Sequence, residues 1–426
     1  MVVRRVFMGG GPPLERIGFA DSKASKERTS RVYFTAASAG VVHGEEECDI
    51  ADFLKMLGTV KDPRKRRGRV YGLQFVLAAV LVAMLAGASN FRQVADQVAD
   101  LPQPLLRRLG ARWCYFRMRY GYPSERMIRR LLCDVDADEL DRATGAWLRG
   151  NVKADVDGVL ALAIDGKVLR GSWTDENEQF TLFSAMVQEA GVTIAQVEVP
   201  AGTNEITQVE SLLAAVPVVD GEHVVVTADA AHTQRETAKH IKEARGFDYF
   251  LQVKGNQPNL SAAVFEKVSP LLQGSPGHSV TERGHGRINV WDTWVADAVG
   301  IDFPCVMRAA CIRRKVFTLA GECTSKELAW VLSSAKATAE DFHTYVRSHW
   351  GIENKSHYVR DTVWSEDAHQ AYVGNGPRVM ATMRNLAIGI LRLNGVGDLK
   401  RTAEGIARDR HRALPLLSLR TVIRTT

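Results

Sequence analysis

The sequence predicts an α/β fold, a mixed sheet preceded by a small helical domain, on three observations. After Asn151 short apolar runs alternate with amphipathic segments; before it the apolar spacing is helical; and one run, FVLAAVLVAMLAGA (Phe75 to Ala88), is apolar on every side. At 426 residues the chain is long for one domain, so two units or a domain with insertions is expected. With 46% hydrophobic and 24% charged residues, the composition is that of an ordinary globular protein and excludes a largely disordered one.

Residues 1 to 45 are rich in Gly, Ser, Ala and charge without sustained periodicity, and read as a poorly ordered extension. An amphipathic stretch, Ile50 to Leu57, leads into DPRKRRGR (Asp62 to Arg69), a basic run of the kind that meets phosphate or solvent. The apolar run that follows is too short for a bilayer span and has Gln74 and basic residues just upstream, so it is expected as a buried helix and no membrane partner is expected. From Phe91 to Leu148 the pattern is helical, broken at Pro102 and Pro104 and restarted at Tyr122-Pro123-Ser124. Ser124 is the expected N-cap of a helix carrying Arg126, Arg129 and Arg130 near one face. Residues 46 to 150 thus read as a helical, basic N-terminal domain that would bind DNA ends.

Beyond Asn151, VLALAID, FTLFSAMVQ and VTIAQVEV read as three consecutive strands, the first nearly all apolar and therefore central. A helix, TNEITQVESLLAAV, follows with Thr203 or Asn204 as its cap; then come strand HVVVTAD, helix HTQRETAKHIKEA and strand YFLQVKG. The order β-β-β-α-β-α-β is that of an RNase H-like core. Residues 260 to 335, with strand-like pieces RINVWDTWVA, VMRAACI and LAWVLSS, are too many for a plain loop and read as a β-rich insertion. Helical periodicity resumes at Ala339 and carries HWGIENKSHYVRD; an apolar helix, Val379 to Leu393, ends a second domain of residues 151 to 395, and 396 to 426 read as a basic tail.

The formal net charge is +6, but residues 61 to 130 alone hold fifteen Lys/Arg against four Asp/Glu. Such a segment suits a phosphate backbone, because each neutralised phosphate releases counterions; a solvated helical surface is the plainer alternative. The six cysteines (Cys48, Cys114, Cys133, Cys305, Cys311 and Cys323) include no C-x-x-C pair, which points to reduced thiols in the cytoplasm and away from structural zinc.

Asp165 follows LALAI and precedes Gly166, a carboxylate expected at the end of a buried strand beside a residue that lets a ligand approach the backbone. Asp229 repeats the arrangement at the end of HVVVTAD, and adjacent strand ends of an open sheet present their last residues to one crevice. Two carboxylates there can share a divalent cation, and a third ligand allows two. Asp220 and Asp248 are weaker candidates, each at the polar start of a segment. Glu353 is expected on one helical face with His349, His357 and Arg360. Zinc on His349 and His357 is disfavoured: H-E-x-x-H is absent, and the spacing is too wide for one metal on a straight helix.

Six segments in order, DPRKRRGRVYGL, AIDGKVLRGS, TNEITQVESLL, TADAAHTQRETA, YFLQVKGNQP and HWGIENKSHYVRDTVWSEDA, resemble insertion-sequence transposases of the ISAs type, the group that includes H-repeat-associated proteins. The resemblance covers nearly everything after residue 50. It implies an RNase H-like DDE catalytic domain in which Asp165, Asp229 and Glu353 hold two divalent ions, normally Mg²⁺, with Mn²⁺ as a substitute. The wider superfamily pattern Y-x-x-R-x-x-x-E-x-x-x-x-x-x-K matches here only at the glutamate; its other places hold Val346, His349 and Arg360, with Tyr345 one position early.

The implied reaction is nicking at a transposon end followed by attack of the exposed 3′-OH on target DNA. The implied partners are double-stranded DNA, as terminal inverted repeats and target, and a second copy of the chain, since two ends must be joined. Arg64, Lys65, Arg66, Arg67, Lys167, Arg170, Lys254, Asn256, Gln257, His349 and Arg360 are the expected DNA contacts, with a solvated surface role as the alternative for each. A catalytically silent DNA-binding relic and a metal-dependent nuclease without strand transfer are the rival functions.

Overall fold

Twelve of the thirteen residues of the apolar run's helix are buried, which sets the organisation of the helical half. The computed structural model describes residues 49–67, 69–152, 158–173, 178–284 and 286–419; the expected extension at 1 to 45 and the end of the expected tail lie outside the described residues. The helical segment comprises α1 (Ala51–Gly58), α2 (Leu73–Leu85), α3 (Phe91–Ala99), α4 (Gln103–Arg108), α5 (Glu125–Asp134) and α6 (Ala137–Asn151), with a small hairpin of β1 (Trp113–Cys114) and β2 (Arg119–Tyr120) between α4 and α5. Ser124 caps α5 by accepting the Met127 N–H at 3.4 Å. These helices share one core with the rest of the fold: Leu57, Val80, Leu131 and Leu148 belong to the same buried cluster as Ile194, Leu386 and Trp364. A Cβ on Gly145 of α6 would lie 2.1 Å from the Ile194 carbonyl oxygen, so only glycine lets this helix rest on the sheet.

The remaining strands are β3 (Val159–Trp173), β4 (Gln179–Val187), β5 (Val192–Val199), β6 (His223–Ala228), β7 (Asp248–Val253), β8 (His278–Gly284), β9 (Arg287–Asp297), β10 (Arg308–Thr318) and β11 (Cys323–Ser333). They form one nine-stranded mixed sheet in the order β5-β4-β3-β6-β7-β11-β10-β9-β8. Strands β3, β4 and β5 are an antiparallel meander, whereas β6 and β7 run parallel to β3. The crossovers carry α7 (Val209–Ala215) and α8 (Arg235–Lys239). This is the RNase H-like topology, and Asn204 caps the turn before α7 by accepting the Thr207 N–H at 3.4 Å.

After α9 (Pro258–Val268), strands β8 to β11 continue the sheet, because β11 pairs antiparallel with β7 from Trp330↔Val253 to Ser333↔Phe250. A capping box of Thr338 and Asp341 then starts α10 (Ala339–His349), whose Phe342 meets Phe250 edge-on with ring centroids 4.9 Å apart. The helix runs on through a π-helical turn, Glu353–His357, into α11 (Tyr358–Trp364). Helix α12 (Gly376–Leu393) is buried against α6, and two further helices, α13 (Leu399–Arg408) and α14 (Ala413–Leu417), occupy much of the segment read as a basic tail. Leu399, Ala403 and Ile406 supply the apolar face that folds α13 back. Among the described residues no helix is long and apolar enough to cross a membrane. Cys114, Cys133, Cys305, Cys311 and Cys323 are free thiols.

Candidate active site

The register of two parallel strands brings the first two carboxylates together. Ala163 of β3 pairs with Thr227 of β6, so Asp165 and Asp229, each two residues further on, stand at one level. Asp229 directly follows the end of its strand; Asp165 does not, because β3 continues to Trp173 along β4. The expected strand end is therefore only the end of the β6 pairing: where β6 stops, β3 runs on past the crevice until Ser172 bridges to Ala371. Burial, together with the Glu205 and Asp229 carboxylates, pushes the Asp165 carboxyl up to about 6, against the pull of His357. Asp229 Oδ1 accepts the N–H groups of Ala231 and His232 at 3.0 and 3.3 Å, which folds the loop after β6 around it.

The third carboxylate arrives on the π-helical turn. Such turns widen a helix by one residue and recur at functional sites. Here the turn sets Glu353 Oε2 3.0 Å from His357 Nδ1, while the same nitrogen lies 3.8 Å from Asp165 Oδ2. The hydrogen bond from His357 holds the Glu353 carboxyl below its ordinary value. Asp165, Glu353 and His357 each offer one ligand atom within 4.8 Å of the others. His357 is buried and its Nε2 has no hydrogen-bond partner. A donor set of crowded carboxylates with one imidazole fits a divalent cation, which would offset the repulsion that raises Asp165.

Two contacts fix that helix to the strands. His349 is buried with its Nδ1 3.0 Å from Thr227 Oγ1, two residues before the level that the aspartates share. Burial pushes its imidazole down to about 4, so it is neutral at pH 7. Lys167 is likewise buried and reaches Asp361 of α11 at 2.7 Å. Neither is placed to meet a phosphate, contrary to the sequence expectation, because both side chains are buried in contacts between the strands and the α10–α11 helix. Arg360 departs furthest: fully buried, it forms an ion pair with Glu366 at 2.7 Å and has no route to DNA.

Of the other expected contacts, Arg64 is held by Asp62 at 2.8 Å and by the Tyr71 carbonyl at 2.7 Å; Lys65, Arg66, Arg67 and Arg69 are the exposed cations of the run, Arg69 donating to the Arg64 carbonyl at 2.7 Å. Arg170 is exposed and 3.5 Å from Asp367, and Lys254 is exposed. Asn256 and Gln257 donate to the Ala230 and Thr233 carbonyls at 2.8 and 3.0 Å, bracing the loop after Asp229.

Glu205 and His232 are the residues that sequence reasoning missed. Glu205 Oε2 lies 3.2 Å from Nε2 of His232, whose buried ring stacks on Phe183 at 4.9 Å. A Cβ on Gly166 would sit 1.7 Å from Glu205 Oε1, so the glycine after Asp165 makes room for a fourth carboxylate. The available signal was an acidic residue directly after the Asn204 cap, in a segment that otherwise reads as a helix start.

A DDE_Tnp_1-associated family model matches residues 54–148, and a Transposase DDE domain model matches residues 160–390, more than half of the chain. The chain belongs to the DDE transposase family. It is 27% identical over 380 residues to the "H repeat-associated putative transposase YhhI" of Escherichia coli K12, covering 85% of this chain and 97% of that protein. It is also 27% identical over 378 residues to the "Putative transposase YncI" of Escherichia coli O157:H7, with 85% and 91% covered. These relatives are the ISAs-type, H-repeat group that the six sequence segments resemble. Among solved structures, the piggyBac transposase in a synaptic complex with hairpin DNA aligns at a TM-score of 0.40 and 12% identity, over 89% of this chain and 83% of that one. Asp165, Asp229 and Glu353 all fall inside the region matched by the transposase model.

Proposed function

We propose that this transposase cleaves DNA at insertion-sequence ends and joins the 3′-OH to target DNA, with Asp165, Asp229 and Glu353 as its catalytic carboxylates. The observation that carries the reading is the shared level of Asp165 and Asp229 on parallel strands, with Glu353 brought beside Asp165 by the π-helical turn. Divalent cations held there, Mg²⁺ or Mn²⁺, supply activation of the attacking oxygen and charge neutralisation at the leaving one. The chain's own part is positional: the β3–β6 ladder fixes two ligand oxygens, His357 orients Glu353, and the His349–Thr227 and Lys167–Asp361 contacts keep the third carboxylate over the strands. Because two ends must be joined, two copies act on paired ends.

The test is a product assay on a DNA fragment carrying the native element end, with Mg²⁺ or EDTA, for the wild type and Asp229→Asn. Joined products that need both Mg²⁺ and Asp229 are expected. Cutting without joining would assign a nuclease, and binding without either would assign a silent relic. The exposed part of the basic run is tested separately. Replacing Lys65, Arg66 and Arg67 with alanine is expected to weaken end binding and flatten the plot of log affinity against log salt by about 2 to 3. An unchanged slope between 50 and 200 mM salt would remove the run from the interface.

A further inference from the structure

The hairpin between α4 and α5 holds its tip in solvent. Phe116 is 102% exposed, Tyr115 80% and Met118 71%, three large apolar side chains in a row broken only by Arg117. Scattered apolar residues on a surface are ordinary; a contiguous, fully exposed aromatic tip is not.

The hairpin carrying it is braced. Trp113 pairs with Tyr120 across the ladder and packs edge-on against it at 4.9 Å. The side chain of Gln103 clamps the Tyr120 backbone, accepting its N–H at 2.7 Å and donating to its carbonyl at 3.3 Å. Gly121 N–H returns to the Arg112 carbonyl at 3.0 Å, and Arg117 N–H closes the tip on the Cys114 carbonyl at 3.2 Å. A rigid stem presenting aromatics loses little entropy when they are covered, which is what a contact residue requires.

The surroundings select the occupant. Residues 101 to 120 contain five arginines and no acidic residue, and Arg112, Arg117 and Arg119 of the hairpin are exposed. One cleft is lined jointly by Val70, Tyr71, Arg112 and the tip residues Tyr115 and Phe116, so the tip stands at the end of the basic run. Cations beside an aromatic wedge match a nucleic acid in both its parts: guanidiniums for phosphates, a ring face for a base. An acidic protein or a membrane would also satisfy the charge, but a nucleic acid pairs a phosphate with a flat ring face at every nucleotide.

We infer that Phe116 is a base-stacking wedge that enters DNA at the transposon end and unstacks a nucleobase there, while the adjacent arginines hold the flanking phosphates. The inference rests on the transposase reading for its ligand but not on the catalytic carboxylates, so it is tested in EDTA. The probes are end duplexes carrying a single 2-aminopurine, scanned one position at a time, with fluorescence for unstacking and anisotropy for affinity. Wild type is expected to raise the fluorescence at one or two adjacent positions. Phe116→Ala should abolish that rise and weaken binding about tenfold or more, with an unchanged salt slope and unchanged melting temperature, whereas Phe116→Trp should keep the rise. Equal affinity and fluorescence for wild type and Phe116→Ala would overturn the wedge and leave the transposase reading intact, as would loss of dimer formation by Phe116→Ala with DNA contacts unaffected. A wild-type protein that binds no end DNA would overturn both.

Discussion

Asp165→Asn is expected to abolish strand cleavage and, in the absence of metal, to raise the melting temperature. Losing one ligand oxygen removes several kcal/mol of transition-state stabilisation, about a thousandfold in rate or more. The stability effect follows from the site's charge. The folded Asp165 carboxyl sits at about 6, above its ordinary value of 3.8, through burial and the Glu205 and Asp229 carboxylates. A group raised in this way binds its proton more tightly in the folded state, so stability falls as pH climbs from about 4 to about 6, and the deficit is complete above that. At pH 7.5 the ionised carboxylate therefore costs the metal-free fold roughly 1–2 kcal/mol once partial solvent access is allowed for. An amide carries no charge and escapes that cost. In EDTA the variant should melt above wild type at pH 7.5, with the gap closing towards pH 4; added Mg²⁺ should raise the wild type and leave the variant unmoved. A variant that melts lower at pH 7.5 and still cuts DNA would remove Asp165 from the site.

That inversion, a residue that weakens the fold it serves, also explains which parts of the site could be read from sequence. Asp165 and Asp229 stand out because each follows a short strand-like run, LALAI and VVVTA, a local signal. Their common level depends on the 163↔227 register, which strand order implies but no segment contains. The helical face drawn through His349, Glu353, His357 and Arg360 assumed an unbroken α-helix. The π-helical turn at Glu353–His357 adds a residue, so His349 and Arg360 point into the interior while Glu353 and His357 meet Asp165. Glu205 stayed hidden because the space it fills is the missing side chain of Gly166, thirty-nine residues earlier. Strand character was legible for β9, β10 and β11 but not for β8, and α9 went unread; the docking of the insertion on β7 was not legible either, since edge pairing is a choice between distant segments.

Replacing Glu366 with alanine is expected to produce the largest loss of stability. The carboxylate is buried between Arg360, 2.7 Å away, and Arg384, 2.8 Å away. Burial alone would raise its carboxyl, yet the two guanidiniums hold it down at about 2. Removing it strands two cations in the interior, which costs about 3–5 kcal/mol and lowers the melting temperature by roughly 5–10 °C. A carboxyl held below its ordinary value stabilises fully above pH 4.5 and progressively less down to 2, so wild type should lose stability over that range and Glu366→Ala should lose less. A variant melting within 2 °C of wild type at pH 7 would show the network to be dispensable. Its reach argues otherwise. Arg384 of α12 also donates to the Ser89 carbonyl at 2.8 Å and lies 3.1 Å from His369, while Arg360 belongs to α11, so one carboxylate ties the helical half to the end of the helix that carries Glu353. Apolar residues could fill the same volume with less desolvation, but a greasy contact tolerates sliding. We predict accordingly that Glu366→Ala, assayed well below its melting temperature, also lowers cleavage, because Glu353 lies on the helix that this network holds in register.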